Sequence, residues 1–283
     1  MTTAVLTPPS EAIAPKRRPR RRAWGRRVLP VYTALVIGYL CLPIFVMILF
    51  GFNDTKGKFN FTWQGFTLTW YRNLFAIDGL TEALKNSLTI AVLATVLAVM
   101  FGTTLGLAIG RYRFRGKGAV DLVLFAQIAT PEIVLGASLL SLFISTGVPR
   151  GYITILVAHV MFCIPFVAVT VQARVVGLDR SLEEAAFDLG ATPIVTFRKV
   201  TLPLIMPAVM AGALLSFALS IDDFVTTTFN SGQTTTFPLW VYGASRIGVP
   251  PQVNVMGTLI FVVGVGLAVA TAFGNRRTLR SST

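Results

Sequence analysis

Three acidic residues stand inside stretches of the chain that are otherwise apolar: Glu132, Asp222 and Asp223. A charged side chain at the centre of a bilayer costs about 2.5–3.5 kcal/mol even on lenient scales, so such residues face a cavity or a partner. No lysine or arginine lies in the interior of these stretches to neutralise them. Unpaired acids that face an internal cavity favour the binding of a cationic solute.

Four aromatic residues, Phe224, Phe229, Trp240 and Tyr242, lie close to the two aspartates in the sequence, and three of them, Phe224, Trp240 and Tyr242, are predicted to line the pathway. An aromatic ring attracts an ammonium group by about 0.5–2 kcal/mol, so these rings complement the acids in a predicted substrate pathway. Adjacent helical residues point about 100° apart, so one aspartate can line the pathway while the other braces the structure. The sequence leaves open which does which. The alternative is that the acids bind backbone groups freed by Pro131, or side chains of a partner subunit.

A second polar feature runs over residues 177–203 and interrupts the apolar chain. Lipid cannot accommodate its charged side chains, so the segment faces water, and we expect it to dock on a protein. These charged residues are Arg180, Glu183, Glu184, Asp188, Arg198 and Lys199.

The pattern of this segment predicts two short helices. Ser181 and Glu184 match a capping box at the start of the first helix, and Gly190 supplies the left-handed residue that ends it. An apolar stripe with spacing i, i+3, i+4 and i+7 lies on one side of the helix and suits close docking to another backbone. It consists of Leu182, Ala185, Ala186 and Leu189.

The second helix is predicted to begin at Thr192 and Pro193, because proline suits the first turn of a helix, and Pro203 marks its predicted end. A different interpretation of the whole segment is an amphipathic helix lying on the lipid surface. Such a helix would not need the glycine and the Leu-Pro pair at these spacings.

Glu184-Ala185-Ala186, then Gly190, then Val200-x-Leu202-Pro203 resemble the "EAA loop" of permease subunits in binding-protein-dependent ABC importers. Val200 replaces the usual isoleucine with a residue of similar shape. The resemblance implies a MetI-like type I permease fold and a helix pair that docks in a groove of a cytoplasmic ATPase. The implied coupling residues are Leu182, Glu183, Glu184, Ala185, Ala186, Phe187, Gly190, Val200, Leu202 and Pro203.

The composition is that of an integral membrane protein. Hydrophobic residues make up 54% and charged residues 13% of the chain, with a mean hydropathy of +0.70. A soluble domain usually carries about 25% charged residues. A spanning helix needs roughly 20 apolar residues, and the alternation typical of a membrane barrel is not found. We therefore predict an all-α polytopic fold with six transmembrane helices, at residues 30–51, 87–110, 119–145, 152–176, 204–228 and 253–274.

Positively charged residues segregate to the N-terminal run, the loop around Arg113, the segment 177–203 and the C-terminal tail. This excess predicts that all four, and so both termini, are cytoplasmic in a bacterial inner membrane. The net charge of +13 follows from this signal and from contact with anionic lipid, so no nucleic-acid partner is expected. The predicted domains are a disordered basic tail at 1–28, a permease domain at 29–275 with its coupling loop at 177–203, and a cytoplasmic tail at 276–283.

The chain lacks a Walker-type phosphate loop and a serine or cysteine nucleophile motif. We therefore expect no catalytic residue, and by the resemblance a separate ATPase binds ATP and Mg²⁺ while this chain needs no cofactor. His159 and Cys163 lie four residues apart on one predicted helix, but two ligands are weak evidence for a metal. We predict a packed helix face there and no metal site.

A narrower resemblance is carried by residues 220–225 (Ser-Ile-Asp-Asp-Phe-Val), 238–242 (Pro-Leu-Trp-Val-Tyr) and Arg246-x-Gly248. These are similar to the spermidine/putrescine permeases, and most similar to the second of their two permease subunits. Residues 130–134 (Thr-Pro-Glu-Ile-Val) are similar to the third span of those permeases. The resemblance implies polyamine import from an extracytoplasmic binding protein, with a second homologous permease and two copies of an ATP-binding subunit.

Other functions stay open at this point. The same importer could carry another solute, such as a ferric ion, thiamine or a modified amino acid. An ion-coupled secondary carrier could use the buried acids as proton relays, but such carriers show inverted repeats and broken helices, which the sequence does not indicate. A membrane scaffold without transport would not need acids in its spans.

Overall fold

A computed structural model describes residues 25–57 and 59–280, with side chains at 28–57 and 59–271. The chain divides into two compact units, Met1–Val46 and Met47–Thr283. Most of the predicted N-terminal tail and the last three residues lie outside the described part, and both tails stay predictions. Helix α1, Gly25–Phe50, begins in the first unit, contains Pro30 and Pro43, and is apolar enough to span a membrane.

The second unit is almost entirely helical. Its described residues contain no strand beyond one isolated bridge between Asn53 and Phe66. A π-helical turn, Phe197–Thr201, joins α8 to α9. The helices are α2 (Thr69–Arg72), α3 (Asp78–Arg111), α4 (Lys117–Ala129), α5 (Glu132–Ser145), α6 (Tyr152–Val176), α7 (Ser181–Asp188), α8 (Pro193–Thr196), α9 (Leu202–Ile221), α10 (Val225–Asn230), α11 (Phe237–Ser245) and α12 (Pro251–Arg280).

The predicted all-α membrane fold is confirmed. Among the described residues, five helical stretches are long and apolar enough to cross a membrane, and the bent pair α4 and α5 makes a sixth if it is one span. The helix boundaries differ from the prediction in several places. The second span begins at Asp78 rather than at 87, because its polar first turns continue the helix beyond the apolar stretch.

The core is built from α3, α6 and α9, and glycines on α3 allow α6 to approach closely. Gly102, Gly106 and Gly110 recur every fourth residue and so lie on one face of α3. A Cβ atom at Gly102 would lie 2.6 Å from Cβ of Val167, and one at Gly106 would lie 2.5 Å from a backbone oxygen of α6. Small residues at this spacing permit backbone contact between membrane helices.

The predicted continuous span at 119–145 is wrong, because the chain bends by 107° between α4 and α5. Pro131 has no N–H to donate and disfavours the helical conformation of the residue before it. Thr130 accordingly adopts an extended backbone, with φ −73° and ψ 128°, and a new helix begins at Glu132.

The predicted helix end at Pro203 is also wrong. Pro193–Ile221 is one continuous helical stretch of 29 residues that includes Val200 in the π-helical turn, Leu202 and Pro203. The wider π turn ends at Thr201, two residues before Pro203, so the proline ring and its missing N–H are accommodated without a break. Leu202 packs against the core. The predicted 204–228 span therefore starts eleven residues earlier and ends seven earlier.

Candidate functional site

A cavity of about 290 Å³ lies where two helix breaks meet, and it brings together the three acids predicted from the sequence. Glu132 begins α5 after the bend, whereas Asp222 and Asp223 follow the end of α9. Phe224 also reaches this cavity. The other lining residues are Gln127, Ile128, Thr130, Leu135, Phe162, Phe166, Leu219, Val225 and Thr226.

Asp223 is buried and holds the break between α9 and α10 in place. Its Oδ2 accepts hydrogen bonds from the backbone N–H and the hydroxyl of Thr227, both at 2.7 Å, and its Oδ1 accepts one from the N–H of Thr226 at 3.3 Å. The first N–H groups of a helix have no partner within it, so this carboxylate satisfies the start of α10.

His159 of α6 supports the same carboxylate, with its Nε2 3.3 Å from Oδ2 of Asp223. The ring also hydrogen-bonds Ser220 through Nδ1 at 2.7 Å and Thr227 through Nε2 at 2.9 Å. The packed helix face predicted for His159 and Cys163 is confirmed, since both are buried and contact the region of α9 and α10. The interpretation of Asp223 as an unpaired acid is wrong, because a histidine, a hydroxyl and two backbone N–H groups take the place of a lysine or arginine.

Asp222 and Glu132 have the opposite character, because both side chains are exposed to the cavity. Asp222 caps the C-terminus of α9, where unpaired carbonyl groups already give the helix end a partial negative charge. A negative residue at this end is unfavourable until a cation binds. Glu132, by contrast, lies in the first turn of α5, whose free N–H groups stabilise a carboxylate. The geometry therefore leaves Asp222 as the acid in most need of a cation.

Not all three aromatic residues predicted for the pathway lie near the acids. Phe224 packs against Tyr242 with ring centroids 4.8 Å apart and ring planes tilted by 48°, and both line a neighbouring cavity that Asp222 also reaches. Tyr242 already holds a cation, since Arg246 lies 5.1 Å from its ring centre and donates a hydrogen bond to its hydroxyl. Trp240 packs elsewhere, against the cluster of Leu74 and Val253, and does not line the acid cavity.

The coupling segment begins at α7, whose C-terminal end is a Schellman motif. The N–H of Gly190 donates to the carbonyl of Phe187, and that of Ala191 to the carbonyl of Ala186. Gly190 has φ +79°, so the left-handed end predicted from the sequence is confirmed. The capping box is wrong: Ser181 makes no side-chain cap, and its N–H donates to Asp179 Oδ1 instead.

The predicted docking stripe of α7 is open to solvent. Leu182 and Leu189 of the stripe are 47% and 89% exposed, and the neighbouring Phe187 is 46% exposed. Ala185 is exposed and Ala186 half-buried. Large apolar side chains that stand exposed together mark a surface that contacts a protein or a membrane.

The two adjacent glutamates of α7 point in different directions. Glu184 is exposed, whereas Glu183 is turned inward and forms an ion pair with Arg111 at the end of α3. Glu183 also accepts a hydrogen bond from Thr201 Oγ1 at 2.7 Å. Partial burial raises the pKa of Glu183, but the bonds from Arg111 and Thr201 and the charges of Arg111 and Arg180 outweigh it and hold that pKa below its ordinary range.

The sequence missed two features of the site. The sequence predicts His159 as a packed residue but not as the partner of Asp223, and it predicts no role for Asn230. Asn230 is fully buried, and its side-chain amide donates to the carbonyls of Gly136 and Thr226, which ties α10 to α5. A lone polar residue within an apolar stretch is the signal that could have indicated His159, whereas Asn230 lies among other polar residues and has no such signal.

The sequence shows no sign of broken helices, which argued against a secondary carrier, but the structure contains two helix breaks. Both breaks, at Thr130–Pro131 and at Asp222–Phe224, face the acid cavity, an arrangement that transporters use for solute sites. The choice between transporter classes therefore depends on the coupling segment and on relatives.

Residues 102–276 match the family of binding-protein-dependent transport system inner membrane components. The spermidine/putrescine transport system permease protein PotC of Escherichia coli is 41% identical over 248 residues, 87% of this chain and 93% of that protein. The putrescine transport system permease protein PotI of Escherichia coli is 41% identical over 242 residues, 82% of this chain and 85% of that protein.

Solved structures agree in fold. A chain of a bacterial ABC transporter that imports the acidic polysaccharide alginate superposes with a TM-score of 0.66 at 17% identity, over 92% of this chain and all of that one. A chain of the inward-facing MetNI methionine ABC transporter gives a TM-score of 0.52 at 20% identity, over 73% and 99%.

Proposed function

This chain belongs to the family of binding-protein-dependent transport system inner membrane components, which are polytopic permeases of ABC importers, and we propose that its cargo is a polyamine. The polyamine passes Asp222 on its way through the membrane. The exposed carboxylate of Asp222 at the negative end of α9 is the observation that carries this proposal. The chain's relatives PotC and PotI are named for spermidine and putrescine. As a permease subunit it is not itself an enzyme.

The site is suited to a flexible, multiply charged amine. Asp222 and Glu132 each offer a carboxylate to the cavity from a different helix, and Phe224 adds an apolar ring beside them. A chain with two or more ammonium groups can satisfy both carboxylates while its methylene groups contact the rings and apolar wall. The alternatives of a ferric ion, thiamine or a modified amino acid are outcomes that the uptake experiment separates.

The coupling mechanism follows from one continuous element. The stretch Pro193–Ile221, roughly 43 Å long at 1.5 Å per residue, begins in the coupling segment and ends beside Asp222. When a partner ATPase closes and opens, it moves α7 through the exposed stripe, and this stretch carries the movement to the cavity. Such coupling requires contacts that differ between the two states of the transporter.

The partners and orientation follow the same proposal. Residues 177–203 face the cytoplasm and two copies of an ATP-binding subunit that binds ATP and Mg²⁺, with both termini of the chain on that side. A second homologous permease completes the membrane part, and an extracytoplasmic binding protein delivers the polyamine to the opposite face. The excess of lysine and arginine on the coupling side supports this orientation.

The test is uptake of labelled putrescine and spermidine in cells that keep the partner subunits but lack this chain. The intact chain should restore uptake, Asp222→Asn should lower it at least about tenfold, and Glu82→Gln, an exposed acid outside the cavity, should restore it fully. Restored ATPase activity with no polyamine uptake would reject the cargo. Full uptake by Asp222→Asn would place the site elsewhere.

A further inference from the structure

The carboxylate of Glu183 joins three elements that are distant in the sequence. It lies on α7, pairs with Arg111 at the last residue of α3, and accepts a hydrogen bond from Thr201 at the last residue of the π-helical turn. Arg180, just before α7, donates a second bond to the backbone oxygen of Arg111 at 3.0 Å. One end of α3, the start of α9 and the coupling helix are thus tied at a single point.

This contact is more sheltered than an ordinary surface ion pair. The side chains of Arg111 and Glu183 are only 14% and 22% exposed, whereas ion pairs on an open surface contribute little. Hydrogen bonds between charged groups are about twice as strong as neutral ones. The lowered pKa of Glu183 keeps the carboxylate ionised at neutral pH.

The surroundings of the contact leave room for movement. A cavity of about 410 Å³ lies between α3, α7 and the π turn, lined by both partners of the ion pair and by Phe187, Phe197 and Thr201. A π-helical turn inside a longer helix is frequently found at a functional site. Without the ion pair, α7 could shift into this space while α3 and α9 stayed in place.

We propose that Glu183 is a positioning residue that transmits the movement of the coupling helix to α3 and α9, and that Glu184 alone of the two glutamates faces the ATPase. This assignment rests on the proposed function and separates two neighbouring residues that the coupling motif treats together. Glu183 acts through Arg111 and Thr201 and does not contact the partner.

The experiment uses the complete transporter reconstituted in lipid vesicles, with polyamine uptake and ATP hydrolysis measured on the same sample. Glu183→Gln and Arg111→Gln should keep the ATPase subunit bound and hydrolysing ATP, but transport per ATP should fall roughly tenfold. The exchange Glu183→Arg with Arg111→Glu should recover part of that loss. Asp188→Asn, which removes a charge from an exposed position of the same helix, is the matched control.

A second readout does not depend on the cargo. Spin labels at Asp188→Cys and Tyr112→Cys, in a chain without Cys41 and Cys163, report the distance between α7 and the end of α3. The distance should have one narrow distribution with and without ATP, and Glu183→Gln should broaden it. Loss of the bound ATPase in Glu183→Gln without recovery by the exchange, or an unchanged distance distribution, would overturn the proposal. Failure of the wild-type complex to take up polyamine would reject the cargo and leave the distance test valid.

Discussion

Two pairs of adjacent acids, Glu183–Glu184 in the coupling segment and Asp222–Asp223 at the cavity, are divided in the same way. In each pair one carboxylate is bound inside the protein and its neighbour is exposed. The side chains of adjacent residues point in different directions, so a pair at the end of a helix can brace the structure with one residue and face a ligand or partner with the other. The stretch Pro193–Ile221 connects the two regions.

The two bound carboxylates differ in what they hold. The hydrogen-bonding partners of Asp223 on α10 lie three and four residues away, with His159 added from α6. The partners of Glu183 lie 72 and 18 residues away, on two different elements. Asp223 therefore stabilises a break in the helix, whereas Glu183 connects elements that are distant in the sequence. Loss of the first should reduce stability, and loss of the second should reduce coupling.

The largest effect is expected for Asp223→Ala. This change leaves the first N–H groups of α10 and the hydroxyl of Thr227 buried without their acceptor and removes the carboxylate that faces His159. Breaking a buried charged contact costs about 3–5 kcal/mol. The detergent-solubilised transporter should melt roughly 6–15 °C lower, as measured by intrinsic fluorescence.

Asp222→Ala is the matched control for that variant. Because Asp222 is exposed to the cavity and binds no neighbouring side chain in the described structure, its melting temperature should stay within about 2 °C of wild type while polyamine uptake falls. Equal melting losses in both variants would mean that the two aspartates share one structural role, and the comparison would fail.

A smaller effect is expected at the end of α7. Gly190 has φ +79°, which proline cannot adopt, so Gly190→Pro should cost the local motif about 2 kcal/mol and abolish the stimulation of ATP hydrolysis by substrate. A side chain at this position would meet no atom within 4 Å, so bulk is not the problem. Gly190→Asn, which tolerates the left-handed conformation, should keep most of the stimulation. Normal stimulation in the proline variant would show that α7 does not transmit the signal.

The sequence was sufficient for features that depend on local chemistry. The apolar stretches indicated a membrane fold, and Gly190 indicated the end of α7, because both follow from neighbouring residues. The position of Glu132 beside the aspartates also agrees with the sequence, since acids in apolar spans face an internal cavity or a partner. The roles of the site residues stay predictions.

Features that depend on contacts between distant helices were not predictable. The partner of Asp223 is His159, 64 positions before it in the sequence, and no local pattern links the two. Pro203 does not end the helix, because the π turn before it accommodates the proline. The sequence does not reveal this turn, which is seen only in the helix geometry. The spacing from Gly102 to Gly110 is a local pattern typical of a packing face, but the identity of α6 as the helix that packs there is known only from the structure.

The smallest effect concerns the pH dependence of the Glu183 ion pair. Because the folded protein holds the pKa of Glu183 below its ordinary range, its contribution is complete above about pH 4.3 and is lost as the pH falls through the lowered value. The ion pair is partly exposed, so we expect it to add only about 1 kcal/mol. Melting temperatures of wild type and Glu183→Gln should therefore differ by a few degrees near neutral pH and converge in acid. A gap that stayed constant, or widened in acid, would mean that the carboxylate stabilises the fold by something other than its charge, and the contrast with Asp223 would lose its electrostatic basis.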